Sequence, residues 1–94
     1  KDAAFILDSL VLMLEDNPEI YIELGSHTDD RNTDAYNLDL SQRRAKSAVD
    51  YLIGRGIQSK RVLAIGYGET KLMIENAQTE AEHQINRRTE FKVL

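Results

Sequence analysis

Cysteine is missing from all 94 residues, which excludes disulfides, thiolate metal sites and a cysteine nucleophile. The lack of cysteine assigns no compartment. No apolar run approaches the roughly 18–20 residues a helix needs to cross a bilayer. There is no surplus of positive charge either. Twelve Lys and Arg against sixteen Asp and Glu give a net charge of −4, and the pI is near 5.1. That balance argues against a protein that grips a phosphate backbone, which would show a basic face. Internal repeats and low-complexity tracts are absent, and proline occurs once. What remains is 41% hydrophobic and 30% charged, an ordinary mixture for one globular domain. A chain of this size buries only about 60–65% of its extended surface, so modest stability is expected. Starting at Lys1 with neither methionine nor signal peptide, it reads as a domain excised from a longer protein. Any anchor or targeting segment would lie upstream.

Apolar spacing supplies the first element. Residues 3–14 place Ala3, Ile6, Leu7, Leu10 and Leu14 at i, i+3, i+4 intervals, predicting a helix with one buried stripe. Asn17-Pro18 stops it, because the residue before proline avoids helical geometry. Ile20 to Leu24 alternates and predicts a strand with Ile20, Ile22 and Leu24 on one face and Tyr21 and Glu23 on the other. Gly25 then releases the chain into a turn-rich loop. Thr33 is the expected N-cap of a second helix running to about Arg55, with Asp39 as a later alternative start. Its core stripe is Leu38, Ser41, Ala45, Ala48, Val49 and Leu52, and Gly54 and Gly56 end it. Arg61 to Ile65 predicts a strand leaving through Gly66-Tyr67-Gly68. A loop over 69–78, a helical turn over 79–84 and a strand from Thr89 to Leu94, with Phe91 and Val93 facing one way, complete the order. Helices alternating with strands imply an α/β fold, a sheet covered by helices on at least one face.

The segment from Ser26 to Ala45 carries the chemistry. It sets Asp29, Asp30 and Asp34 in the loop, then adjacent Arg43 and Arg44 on the helix. Asn37, Leu40 and Arg44 fall at i, i+3 and i+7, so they share a stripe that can border Thr28 and Asp29. Arg44 offers a planar fork for a carboxylate, and Asp29 an acceptor-only group for an ammonium. Such a pair suits the zwitterionic end of an amino acid. Spacing alone leaves a duller possibility open, since Asp29 and Arg44 could pair with each other or stand solvated, worth roughly 0–1 kcal/mol. A metal site from His27, Asp29, Asp30 and His83 lacks ligand spacing. A hydrolase lacks a nucleophile elbow at Ser26 or Ser41 and a triad around His27. His27 is expected to order the loop, and Tyr36, Tyr51 and Tyr67 to be half-buried packing groups.

Over nearly its whole length the chain resembles the OmpA-like domains, the peptidoglycan-binding module of OmpA C-termini, Pal lipoproteins and MotB-type proteins. The matching stretches are Gly25-Ser26-His27-Thr28-Asp29, Tyr36-Asn37, Leu40-Ser41, Arg44-Ala45, Val49, Tyr51-Leu52, Gly66-Tyr67-Gly68-Glu69 and Asn86-Arg87-Arg88, in the family's order. The sequence departs from the pattern in four places. The family's first strand is missing, and an extra Ser26 separates glycine from histidine. Asn32 stands where a loop glycine is usual, asparagine being tolerant of positive φ. Lys71-Leu72 replaces a Lys-Pro step.

The resemblance implies a two-layer α/β sandwich with a mixed sheet and two main helices, one domain over residues 1–94. It implies non-covalent binding of peptidoglycan through the diaminopimelate of the stem peptide. That would anchor an outer-membrane protein or lipoprotein to the cell wall from the periplasm. Asp29 and Arg44 carry the two family roles of gripping the free amino-acid end. Thr28, Asn37, Leu40 and Arg88 match further positions that line or support the pocket. No catalytic residue, metal or cofactor is expected. The alternatives are a protein-interaction module of the envelope and, less favoured, a cell-wall peptide hydrolase.

Overall fold

Five aliphatic side chains from the first helix and the first strand show how far apolar spacing carries. The computed structural model describes residues 2–94, with side chains from Phe5 onward. In α1 (Asp2–Asp16), Leu10, Val11 and Leu14 are buried, and in β1 (Ile22–His27), Ile22 and Leu24 face them. Val49 and Leu52 of α2 (Asp34–Gly54), Ile57 and Val62 complete the core. Each large aliphatic side chain removed from water this way contributes about 1.5–3 kcal/mol. Ile6, expected in the buried stripe, is 56% exposed. It lies on the flank of α1, where it borders an open apolar groove with Leu7, Leu10, Leu24 and Phe91. The side chain of Ala3 lies outside the described residues.

β1 begins two residues later than alternation predicts and continues through Gly25 to His27. It is the central strand of the order β2-β1-β3, parallel to β2 (Val62–Gly68) and antiparallel to β3 (Thr89–Val93). On the face opposite Ile22 and Leu24, Glu23 is buried beneath Tyr67 and Lys92, while Tyr21, just before the strand, is 40% exposed. Gly25 does not release the chain. It pairs with Ile65 and Glu90 in mid-strand, and a Cβ there would sit 2.8 Å from Tyr67 Cε2. Likewise Gly66-Tyr67-Gly68 is part of β2. The register slips opposite Ser26 and His27, leaving Tyr67 as the extra residue of a bulge.

α2 starts where its cap predicts. The Thr33 hydroxyl accepts from the Tyr36 N–H at 3.2 Å. Asn37, Ser41, Ala45, Val49 and Leu52 are its buried residues, whereas Leu38, expected in that stripe, is 51% exposed. The helix is aimed by β2: Gly66 comes so close that a Cβ would lie 2.2 Å from the Gln42 backbone nitrogen. This close approach turns Ser41, not Leu38, onto the strand, where its Oγ accepts from the Gly68 N–H at 2.9 Å. Gly56, at φ +102°, makes the turn after the helix, a conformation that favours glycine.

A 3₁₀ turn (Ser59–Arg61) leads into β2. Arg61 is buried and donates to the carbonyls of Leu14, Asn17 and Ile20, where the C-terminal end of α1 welcomes a cation. α3 (Glu80–Asn86) is capped by Thr79 and Glu82 in a reciprocal box. Asn86, fully buried, accepts from the Met73 and Ile74 N–H groups and so pins the preceding loop. The described residues therefore form a mixed three-stranded sheet with three helices, and β3 leaves its outer edge unpaired. Asn32 does not take positive φ; Asn76 does, at 58°.

Candidate functional site

Where β1 ends and α2 begins, the loop between them folds back over the first two turns of the helix. Asn37 holds it there. Its Nδ2 donates to the carbonyls of Asp29 at 3.2 Å and Asn32 at 3.3 Å, and to Glu69 at 2.9 Å. Those bonds fix Asp29 beside the helix. Thr28 is tied to β2 by its N–H to the Gly68 carbonyl at 2.9 Å, and its hydroxyl donates to the Asp29 carbonyl. The outcome is a cleft of about 360 Å³ lined by Thr28, Asp29, Asn37, Leu40 and Arg44, together with Arg31, Asn32, Tyr36 and Arg87. Five of the six candidate residues thus meet at one place.

Arg88, the sixth, lies off this cleft. Its guanidinium donates to Glu90 and to the carbonyls of Asn86 and Lys71, and its backbone pairs with His27. The arginine that reaches the cleft is its neighbour, Arg87, because successive residues entering β3 point to opposite sides. The twin arginines of α2 divide in the same way. Arg43 pairs with Asp39 at 2.8 Å, whereas Arg44 has no ion-pair partner among the described residues.

Asp29 is 5% exposed. Its carboxylate accepts from the Arg31 backbone N–H, from Arg31 Nε and Nη2, and from Arg87 Nη1 at 2.5 Å. Burial pushes its pKa up, but the hydrogen bonds from Arg31 and Arg87 outweigh that and hold it at about 2, below the ordinary 3.8. Asp29 therefore stays ionised throughout the neutral range. It pairs with neither solvent nor Arg44, the two duller possibilities that spacing left open.

Arg31 was not singled out from the sequence; Tyr36 and Arg87 stood in the matching stretches Tyr36-Asn37 and Asn86-Arg87-Arg88, the latter read as edge solvation with support of the site as the alternative. Tyr36, expected as half-buried packing, is 50% exposed on the rim. Arg31 carried one usable signal, its position two residues after the motif aspartate. For Arg87 only the three-dimensional side of the chain decides between two identical neighbours. His27 and His83 sit apart: His27 stacks on Tyr67 with ring centroids 5.0 Å apart, and His83 Nδ1 lies 3.7 Å from Asp30.

A second, smaller hollow of about 120 Å³ lies on the sheet face away from the helices, lined by Glu23, Gly25, His27, Tyr67, Lys71, Glu90, Phe91 and Lys92. The Tyr67 hydroxyl donates to Glu23, Lys71 rides over the Tyr67 ring, and Lys92 faces Glu23 at 4.0 Å. Glu90 pairs with Arg88 and lies 3.5 Å from His27 Nε2, while His27 Nδ1 is buried without a hydrogen bond and Lys71 has no ion-pair partner among the described residues.

Comparison with known proteins fits this geometry. The OmpA family matches residues 1–87. The chain is 43% identical over 76 residues to outer membrane porin F of Pseudomonas fluorescens, covering 81% of the chain and 23% of that protein. It is 36% identical over 83 residues to the peptidoglycan-associated lipoprotein of Pasteurella multocida, covering 88% of the chain and 55% of the lipoprotein. The chain thus spans about a quarter to a half of these relatives. Among solved structures, the peptidoglycan-associated lipoprotein of Burkholderia pseudomallei superposes with a TM-score of 0.92 at 26% identity, over 100% of this chain and 79% of that one. The cell wall anchor of the T6SS from Pseudomonas aeruginosa superposes with a TM-score of 0.79 at 28% identity, over 94% and 63%. Motif order, mixed sheet and sequence identity converge, and the chain belongs to the OmpA family.

Proposed function

We propose that the cleft binds peptidoglycan non-covalently, taking the free amino-acid end of diaminopimelate in the stem peptide. One observation carries the reading: Arg44, without an ion-pair partner among the described residues, lines the same cleft as the buried, ionised Asp29. Arg44 lays its fork of N–H donors on the ligand carboxylate, and Asp29 accepts from the ligand ammonium. Asn37 keeps the two groups in register by fastening loop to helix, and Leu40 gives the ligand's methylene chain an apolar wall. The names of the relatives, a peptidoglycan-associated lipoprotein and a cell wall anchor, support the same ligand class.

The role is that of an anchor rather than a catalyst, held in the periplasm by a parent protein of the outer membrane. A single head group offers few contacting atoms, so one site binds at about micromolar to millimolar strength. Many copies on one continuous polymer turn that into firm tethering.

Titration with a diaminopimelate-containing stem peptide tests the assignment. Arg44→Ala should weaken binding by about 10- to 100-fold, the worth of a charge-assisted hydrogen-bond pair. It should leave thermal stability unchanged, since Arg44 is exposed and holds no internal partner. Asp29→Ala should abolish measurable binding, and a lysine-containing peptide, which lacks the terminal carboxylate, should bind poorly to the parent. Parent-like binding by both variants would remove the site from this cleft.

A further inference from the structure

Asp29 is already occupied. Oδ2 accepts from Arg31 Nε at 3.2 Å, Arg31 Nη2 at 2.8 Å and Arg87 Nη1 at 2.5 Å, and Oδ1 accepts from the Arg31 N–H at 3.1 Å. Each carboxylate oxygen has about two lone-pair sites, so three donors crowd Oδ2, while Oδ1 carries one. The charges around it are balanced as well. Glu80 accepts from Arg31 at 2.9 Å and from Arg87 at 2.5 Å, setting two acids against two arginines. An ammonium arriving at Oδ2 of Asp29 meets guanidinium groups where its own hydrogen bonds should go.

The two arginines are not equally fixed. The Arg87 side chain is 22% exposed and follows the end of α3, where it also donates to Gln84. The Arg31 side chain is 47% exposed, sits in the loop, and already holds Glu80 with its Nη1. Arg31 can therefore leave Asp29 and remain paired; Arg87 is held in place.

We propose that Arg31 determines specificity by standing in for the ligand: its guanidinium fills the place of the ammonium in the empty cleft, and a ligand that carries an ammonium displaces it onto Glu80. The inference rests on the reading of this cleft as the seat of an ammonium–carboxylate end. Its consequence is selective. A ligand with a carboxylate alone engages Arg44 and leaves the Arg31–Asp29 pair closed, so it gains nothing from Asp29. Arg87 stays behind in either case and keeps Asp29 ionised for the exchange.

Calorimetric titration separates these ideas. The probes are a stem tripeptide ending in meso-diaminopimelate and the same peptide with its distal amino group replaced by hydrogen. Arg31→Ala should bind the diaminopimelate peptide about two- to fivefold tighter than the parent, the worth of a half-exposed ion pair no longer in competition. Arg31→Gln should move in the same direction, and the peptide lacking the amino group should bind neither variant more tightly. A merely structural role for Arg31 would weaken binding, so tightening is diagnostic. If the parent binds the tripeptide and both Arg31 variants bind it equally or more weakly, the stand-in role is overturned and the site assignment survives. If the parent does not bind it, both fall.

Discussion

Two ion-lined depressions lie on this small fold, and they differ in how their charges are met. In the hollow on the open sheet face, Glu23 and Glu90 are met by Tyr67, Lys92, His27 and Arg88, and Lys71 rests on the Tyr67 ring. In the cleft beside α2, Asp29 is met by Arg31 and Arg87, but Arg44 has neither an ion-pair partner nor an aromatic face among the described residues. The difference teaches that a cluster of charges marks a site when the fold leaves part of it unpaired. Mutual pairing is a way to bury polar groups on a sheet that lacks a second helical layer.

The contrast can be broken most forcefully through the backbone. Gly66→Ala would drive a Cβ into the α2 main chain at Gln42, 2.2 Å away, with no flexible neighbour to yield. Overpacking of this kind costs about 3 kcal/mol, a drop of roughly 12–24 °C in melting temperature. Gly25→Ala meets the Tyr67 ring instead, at 2.8 Å, and a ring can swing away from the hollow. The loss there should be about 1 kcal/mol, with peptide binding retained. Thermal melts of the two variants by circular dichroism check the ranking; equal losses would mean the helix side is no more tightly packed than the open side.

Acid separates the regions more gently. Burial first, then the charge of Arg88, lowers the His27 pKa below 6.5, against the opposing pull of Glu90. The unfolded chain therefore takes up that proton first, and stability present above pH 6.5 falls as pH drops through the folded His27 pKa. Asp29 behaves likewise at lower pH. Its folded pKa of about 2 contributes on the order of 2 kcal/mol above pH 3.8, lost as pH falls toward 2. Unfolding free energy measured from pH 8 to pH 2 should decline in two stages. His27→Gln should erase the upper stage and Asp29→Asn should shrink the lower one. A single stage unaffected by His27→Gln would contradict the division.

How much of this was legible in the chain differs by residue. Thr33, Gly56 and the Asn17-Pro18 step announced element ends because their local chemistry allows little else. Asn37, Leu40 and Arg44 were legible as one patch because helical periodicity fixes which side chains share a stripe, and Asp29, in the loop, joined them only through the motif resemblance. The extent of β1 was not: Gly25 resembled an exit, and only the approach of Tyr67 from a neighbouring strand explains glycine there. Leu38 and Ile6 were misplaced because a helix's buried face depends on the angle at which Gly66 and β1 receive it. Arg87 and Arg88 were indistinguishable until the side of β3 was known. Occupation of Asp29 by Arg31 and Arg87 joins a loop to the start of β3 and has no local signature.

Proof of the zwitterion reading lies in a cycle that alters protein and ligand together. Parent and Arg44→Ala are each titrated with the diaminopimelate tripeptide and with its analogue amidated at the distal carboxylate. Amidation should cost the parent about tenfold or more in affinity and cost Arg44→Ala almost nothing, because the partner of that carboxylate is already gone. An equal loss in both proteins would show that Arg44 does not read the carboxylate.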